Sequence, residues 1–243
     1  MNSAIQNKGI ALITGASRGI GAAIAHRMAA KGYDLAIVGR NSHKISQLER
    51  DLESHGIKIL SIIADLEDAE APAQIIQKTI ESFGKLDILI NNAGIAVSRE
   101  MEATKPEIWD KLMQVNAKAP YFIIQHALPH LRQSGQATII NISSVVGRLG
   151  YANQSAYAAS KHAMMGFSKA LAREIQKDNI RLHVLAPGGV NTDMVKTMRP
   201  DIDTEKLIDP DEIAGIVDFL VSNRGNAMID NINIRRANGT PLA

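Results

Sequence analysis

Seven short runs rich in Ile, Leu, Val and Ala are spread over 243 residues, with helix-length amphipathic segments between them. Parallel strands need a crossover long enough to return to the same edge of the sheet, and a helix supplies it. The runs read as strands at Ile10–Thr14, Leu35–Gly39, Lys58–Ile63, Leu86–Asn91, Ala137–Ile142, Arg181–Leu185 and Met228–Ile234. Helical patterns fall at Gly19–Lys31, Lys44–His55, Pro72–Phe83, Pro106–Val115, Tyr121–Gln133, Ser155–Gln176 and Pro210–Val221. Gly32 and Gly56 stand where C-terminal caps stand, and Pro106 and Pro210 open their helices. The expectation is an α/β doubly wound fold, a seven-stranded and mainly parallel sheet with helices on both faces, built by residues 1–243 as a single domain.

No repeat, low-complexity tract or Ser/Gly-rich linker breaks the pattern. Two irregular segments follow strands, Gly94–Thr104 and Val190–Asp209, and ligands of open α/β sheets sit outside the carboxyl ends of strands, so these segments are expected to wall a cleft. The chain has no cysteine, which excludes disulfides, thiolate nucleophiles and cysteine-held metals. No stretch approaches the ~18 uncharged apolar residues of a membrane span, and Met1–Lys8 lacks an apolar core behind a basic start. A cytoplasmic protein without a membrane partner is expected. Lys and Arg total 27 against 25 Asp and Glu, a net charge of +2 spread along the chain, so no nucleic-acid partner is expected either. The dipeptide Arg235-Arg236 reads as a solvated strand end.

The first strand runs into Thr14-Gly15-Ala16-Ser17-Arg18-Gly19-Ile20-Gly21, and a helix begins at once. A strand, a glycine turn and a helix N-terminus present backbone N–H groups and a positive dipole end to a diphosphate. The spacing is G-x-x-x-G-x-G rather than G-x-G-x-x-G. The doubly wound sheet is then of the Rossmann type, in which the residue after the second strand faces the adenosine ribose. An acid there binds a free 2′-hydroxyl, whereas a basic side chain accommodates a 2′-phosphate. Here that position offers Arg40, with Arg18 as a second guanidinium, so the coenzyme expected is NADP(H).

Tyr157 and Lys161 lie four apart in a helical pattern, on one face. A free phenol titrates near ~10, and a fixed cation beside it favours the phenolate. Ser143 and Ser144 follow the apolar run Thr138–Ile142, so a hydroxyl emerges at a strand's carboxyl end; Ser144 stands 13 residues before Tyr157.

In chain order, Thr14–Gly21, Asn91-Asn92-Ala93-Gly94, Ser144, Tyr157–Lys161 and Pro187-Gly188 resemble the short-chain dehydrogenase/reductase family over nearly the whole chain. That resemblance implies roles for particular residues. Tyr157 would be the general acid in carbonyl reduction, Lys161 would lower its pKa and hold the nicotinamide ribose, and Ser144 would bind the substrate oxygen. Asn116 would support a water-linked proton path to the lysine. Gly15, Ser17, Arg18, Gly19, Ile20 and Gly21 would hold the diphosphate side, with Arg40, Asp65, Leu66, Asn92, Ala93 and Gly94 on the adenosine side. Pro187, Gly188, Val190 and Thr192 would meet the nicotinamide carboxamide. Ser143 is read as a strand-end hydroxyl, and Asn91 and Asn92 also suit a role tying strands together.

Within the family the chain is most similar to 3-oxoacyl-(acyl-carrier-protein) reductases. The implied substrate is a small-molecule carbonyl or alcohol, with a 3-oxoacyl thioester as one candidate, and the implied assembly is a homodimer or homotetramer. Two features depart from the pattern: the segment after Asn191 is short for a substrate lid, and Arg235-Arg236 replaces a paired glycine. His126 and His130 have a metal-like spacing, but Pro129 intervenes and no third ligand follows, so no metal is expected. The alternative is a cofactor-binding sensor without turnover, and an interaction protein would have no use for Arg18 and Arg40 beside a glycine turn.

Overall fold

The computed structural model describes residues 8–198 and 202–239. The start of the chain and the middle of the Val190–Asp209 segment therefore fall partly outside the described residues. Strands β1 (Ile10–Thr14), β2 (Asp34–Gly39), β3 (Ile59–Ile63), β4 (Ile88–Asn91), β5 (Ala137–Ile142), β6 (Ile180–Pro187) and β7 (Asn231–Ile234) form one sheet. Its order is β3-β2-β1-β4-β5-β6-β7, and every neighbouring pair is parallel.

The crossovers are helices α1 (Gly19–Ala30), α2 (Ser42–Leu52), α3 (Ala71–Phe83), α4 (Pro106–Met113), α5 (Ala119–Gln133), α6 (Ser155–Glu174), a short α7 (Asp193–Met198) and α8 (Pro210–Ser222). Because side chains alternate along a strand, β1 feeds two cores at once. Ile10 and Leu12 join Leu89, Ile139, Ile75 and Ile123 on one face. Ala11 and Ile13 join Ile37, Ile90, Ile140, Ile24 and Val217 on the other. Burial on both faces explains why the sequence runs are continuously apolar.

Besides shifts of one to three residues at other element ends, three differences from the sequence expectation stand out. Pro106–Val115 and Tyr121–Gln133 are not separate helices, because a π-helical turn at Gln114–Lys118 carries α4 directly into α5. The short helix α7 has no hydrophobic period long enough to announce it. The last strand begins at Asn231 rather than Met228, since only Asn231–Ile234 pair with β6.

Candidate active site

The sheet order turns back on itself at β1, which is flanked by β2 and β4. Their chains leave the sheet in opposite directions and open a crevice at the carboxyl edge. A cavity of about 920 Å³ occupies it, extending from Arg40 at one end past Tyr157 to the Met194–Met198 helix and the C-terminal tail. All of the expected site residues line it except Gly21 and Asn116, which act from behind its wall.

The glycine turn is held by side chains of the next strand over. Thr14 Oγ1 accepts from the backbone N–H groups of Asn92 and Ala93 at 3.1 Å each. Asn92 Nδ2 donates to the carbonyls of Thr14 (3.0 Å) and Gly15 (3.1 Å), so its amide ties β4 to β1 and lines the cavity as it does so. Gly15 has φ +66°, and a β-carbon on it would lie 2.7 Å from Ala93 Cα. A β-carbon on Gly21 would strike the Gly15 carbonyl and stand 2.8 Å from its carbon. Both positions therefore exclude a side chain, and α1 packs against the turn. No described side chain caps α1, although Ser17, Arg18, Gly19 and Ile20 all face the cavity. Its first-turn N–H groups are thus unpaired donors at the positive end of a dipole, which fits a diphosphate.

At the β2 end, Arg40 stands near Asp65 (3.8 Å) and Glu67 (3.5 Å), with Lys111 on Glu67 at 2.6 Å. These groups are largely exposed and their pairing is weak. Arg18 instead donates to Asp193 of α7 at 2.8 Å, an ion pair that holds Asp193 below the usual carboxylate range. Lys44, in the first turn of α2, also lines this end and was not expected from sequence. Its position three residues past the N-cap Asn41, whose side chain accepts from the Lys44 N–H at 2.9 Å, is the signal that could have found it.

Ser144 leaves the end of β5 and caps a short 3-10 turn, its Oγ accepting from the Val146 N–H at 3.2 Å. That cap brings its hydroxyl to the Tyr157 phenol across the returning loop. Burial pushes the phenol above its ordinary value of 10, and the Ser144 hydrogen bond draws it partly back. The direction is opposite to the lowering expected from sequence, because burial dominates and the one group drawing the phenol down is Ser144. Lys161 is itself enclosed, with Nζ donating to the Ile142 carbonyl at 3.1 Å, and burial lowers it to about 8. Ser143 is engaged elsewhere, donating to the Lys161 carbonyl at 3.4 Å.

Asn116 sits in the π-helical turn, fully buried. Its Oδ1 accepts from the Ile95 N–H (2.9 Å), and its Nδ2 donates to the Ile95 carbonyl (2.8 Å) and to Ser160 Oγ (3.0 Å). A β-carbon on Gly94 would come within 3.3 Å of Asn116 Oδ1 and 3.4 Å of Lys161 Nζ, so only a glycine leaves that gap open. Deeper still, Asn91 donates to Asn141 and Asn141 to Ser168, both at 2.9 Å, which fixes α6 against β4 and β5.

The substrate side is built from three segments. Met194, Val195 and Met198, in the segment Val190–Asp209 expected to wall a cleft, supply an apolar wall. The loop between Ser144 and Tyr157 adds Arg148, Leu149, Tyr151 and Gln154, a rim implied by the closeness of those two catalytic candidates but not named from sequence. The third segment corrects an expectation. Arg235-Arg236 is not merely a solvated strand end, because the Gly188 N–H donates to the Ile234 carbonyl at 2.7 Å and the tail is drawn along the cavity wall. His126 is exposed and His130 half-buried on α5, outside the cavity.

The short chain dehydrogenase family model matches residues 9–203. A 3-oxoacyl-(acyl-carrier-protein) reductase FabG of Staphylococcus aureus is 33% identical over 223 residues, covering 88% of this chain and 91% of that protein. A dehydrogenase/reductase from Sinorhizobium meliloti shares 36% identity, with a TM-score of 0.86 and 96% of each chain covered. A metagenomic short-chain oxidoreductase solved in complex with NADP shares 30%, with a TM-score of 0.83, covering 96% of this chain and 99% of its own. With glycine turn, serine, tyrosine and lysine meeting on one crevice of a parallel sheet, the chain belongs to the short-chain dehydrogenase family of oxidoreductases.

Proposed function

We propose that this protein is an NADP(H)-dependent reductase of ketones or aldehydes, with 3-oxoacyl thioesters as the first substrates to try. The observation that carries the reading is the buried Ser144–Tyr157 pair with Lys161 one helical turn on, set between an uncapped helix N-terminus and an apolar wall. Arg40, Arg18 and Lys44 at the adenosine end supply the cations that a 2′-phosphate needs, with Asp65 the single carboxylate among the described residues on the cavity wall. The bound coenzyme supplies the hydride.

The chain's own residues handle the oxygen and the proton. Ser144 donates a hydrogen bond to the carbonyl oxygen and steadies the charge that develops there. Tyr157, kept protonated by burial, passes its proton to that oxygen as the carbon receives the hydride, and an alcohol results. Lys161, cationic below about pH 8, then offsets the charge left on the phenolate until the proton returns. Asn116 holds the Ile95 backbone and Ser160 in place beside that route.

The test follows NADPH consumption with a 3-oxoacyl thioester beside simple ketones, aldehydes and diketones. Replacing Tyr157 with Phe is expected to lower kcat by about 10²–10⁴-fold, the size of a general-acid contribution. Absence of turnover by the unaltered protein on every substrate would instead favour a coenzyme-binding sensor.

A further inference from the structure

Among the described residues the cavity wall is unevenly charged: seven cationic side chains face it against one carboxylate, Asp65, which lies at the adenosine end. Arg18, Arg40 and Lys44 belong to that end, and Lys161 sits beside Tyr157. The remaining three, Arg148, Arg235 and Arg236, lie on the substrate side, where no acidic residue among those described lines the wall.

Those three arginines are not equivalent. Arg235 Nη1 donates to the carbonyls of Arg236, Ala237 and Gly239, each at 3.1 Å, so its guanidinium is spent on curling the tail. The curl fixes Arg236 over the Gly188–Gly189 corner, where its Cδ stands 3.7 Å from the place of a Gly189 β-carbon. That corner is the one proposed to meet the nicotinamide, so Arg236 overlooks the reacting end of the cleft. Arg236 is half-buried, and among the described residues its guanidinium has no hydrogen bond or ion pair. Arg148 follows the 3-10 turn capped by Ser144; it is exposed, lines the same cavity and has no side-chain partner among the described residues. A cation such as Arg236, partly withdrawn from water without a counter-charge, is unfavourable, and an anion delivered to it gains charge-assisted bonds in a site of lowered dielectric, with the exposed Arg148 adding a second positive charge on the same cavity wall.

We propose that Arg236, positioned by Arg235, and Arg148 on the facing loop bind an anionic group of the substrate. The inference rests on the reductase reading and names its substrate class: a carbonyl compound carrying a carboxylate or phosphate beyond a spacer. Met194, Val195 and Leu149 receive the spacer while Ser144 and Tyr157 hold the carbonyl.

Two matched pairs test this and separate the two anions: 4-oxopentanoate against its methyl ester, and 3-oxobutanoyl pantetheine 4′-phosphate against 3-oxobutanoyl pantetheine. The unaltered protein is expected to favour the charged member in at least one pair by about tenfold or more in kcat/KM, through KM. In Arg236→Gln and in Arg148→Gln that ratio should fall by about tenfold, and Arg236→Lys should keep part of it because the charge remains. Two separate variants guard against one failing to fold. The pair that shows the preference identifies the anion as carboxylate or phosphate. Reduction of all four compounds without a charge preference, or a preference untouched in both Gln variants, overturns the inference and leaves the reductase reading standing. No reduction of these four while other ketones or aldehydes are reduced overturns the inference alone; no reduction of any carbonyl compound overturns the reductase reading and this inference with it.

Discussion

Asn116 Nδ2 donates to Ser160 Oγ at 3.0 Å, and through that bond the π-helical turn is clamped to α6 one residue before Lys161. A π turn widens the helix by one residue and aims a side chain that a regular helix would turn away. Asn116→Ala removes three hydrogen bonds and leaves both Ile95 backbone groups without their side-chain partner, while Ser160 Oγ keeps its bond to the Tyr157 carbonyl at 2.8 Å. Denaturant unfolding is expected to show a loss of about 2–4 kcal/mol, since each buried unsatisfied group costs about 1–3. An unchanged midpoint would mean that solvent reaches the turn.

Lys161 gives stability a particular pH dependence. Its folded value of about 8 lies below its ordinary 10.5, so between those values the folded protein binds fewer protons than the unfolded chain. Stability is therefore lowest below pH 8 and recovers as the pH rises towards 10.5. The raised Tyr157 phenol works in the opposite sense, but only above pH 10, where the unfolded chain ionises first. Lys161→Met should thus be stabilised near pH 7 by about 3 kcal/mol, at about 1.4 per unit, and should lose that advantage near pH 10. A pH-independent difference between the two proteins would contradict the assignment. In activity, carbonyl reduction should decline as the pH passes about 8 and the ammonium is lost.

Coenzyme preference is expected to rest on Arg40. Its carboxylate neighbours at 3.5 and 3.8 Å are exposed and yield readily to a phosphate. Arg40→Ala should reduce the NADPH-over-NADH ratio of kcat/KM by about tenfold or more. Asp193→Asn should act the other way, lowering the KM for NADPH by about two- to fivefold because Arg18 is released from its 2.8 Å partner. Steady-state kinetics with the two coenzymes decides both.

Gly21 lies behind the cavity wall, yet its replacement should be felt at the coenzyme. A β-carbon would meet the Gly15 carbonyl group, which is backbone and cannot swing aside. Gly21→Ala should push α1 off the turn and weaken NADPH binding by about tenfold or more, with little effect on the remote end of the sheet. Fluorescence titration with NADPH measures the loss, and wild-type affinity would refute the close-packing account.

The sheet, its order of strands and helices, the glycine turn and the Tyr157–Lys161 pair were legible in the chain because each is written in short-range periodicity or spacing. Apolar runs covered on both faces, a turn with Gly15 at φ +66° and a four-residue helical step need no knowledge of distant partners. What lay beyond the sequence were the commitments of side chains to groups far along the chain. Asn92 is spent on the carbonyls of β1, Arg18 on Asp193, and Asn116 on Ser160. Nor could local pattern place Arg236 beside Gly189, because that follows from β7 adding to β6 and the tail curling under Arg235. Tertiary structure decided these because crossovers of different length bring strand ends together at one edge. Which polar group then meets which is settled by burial and the need to satisfy every enclosed donor.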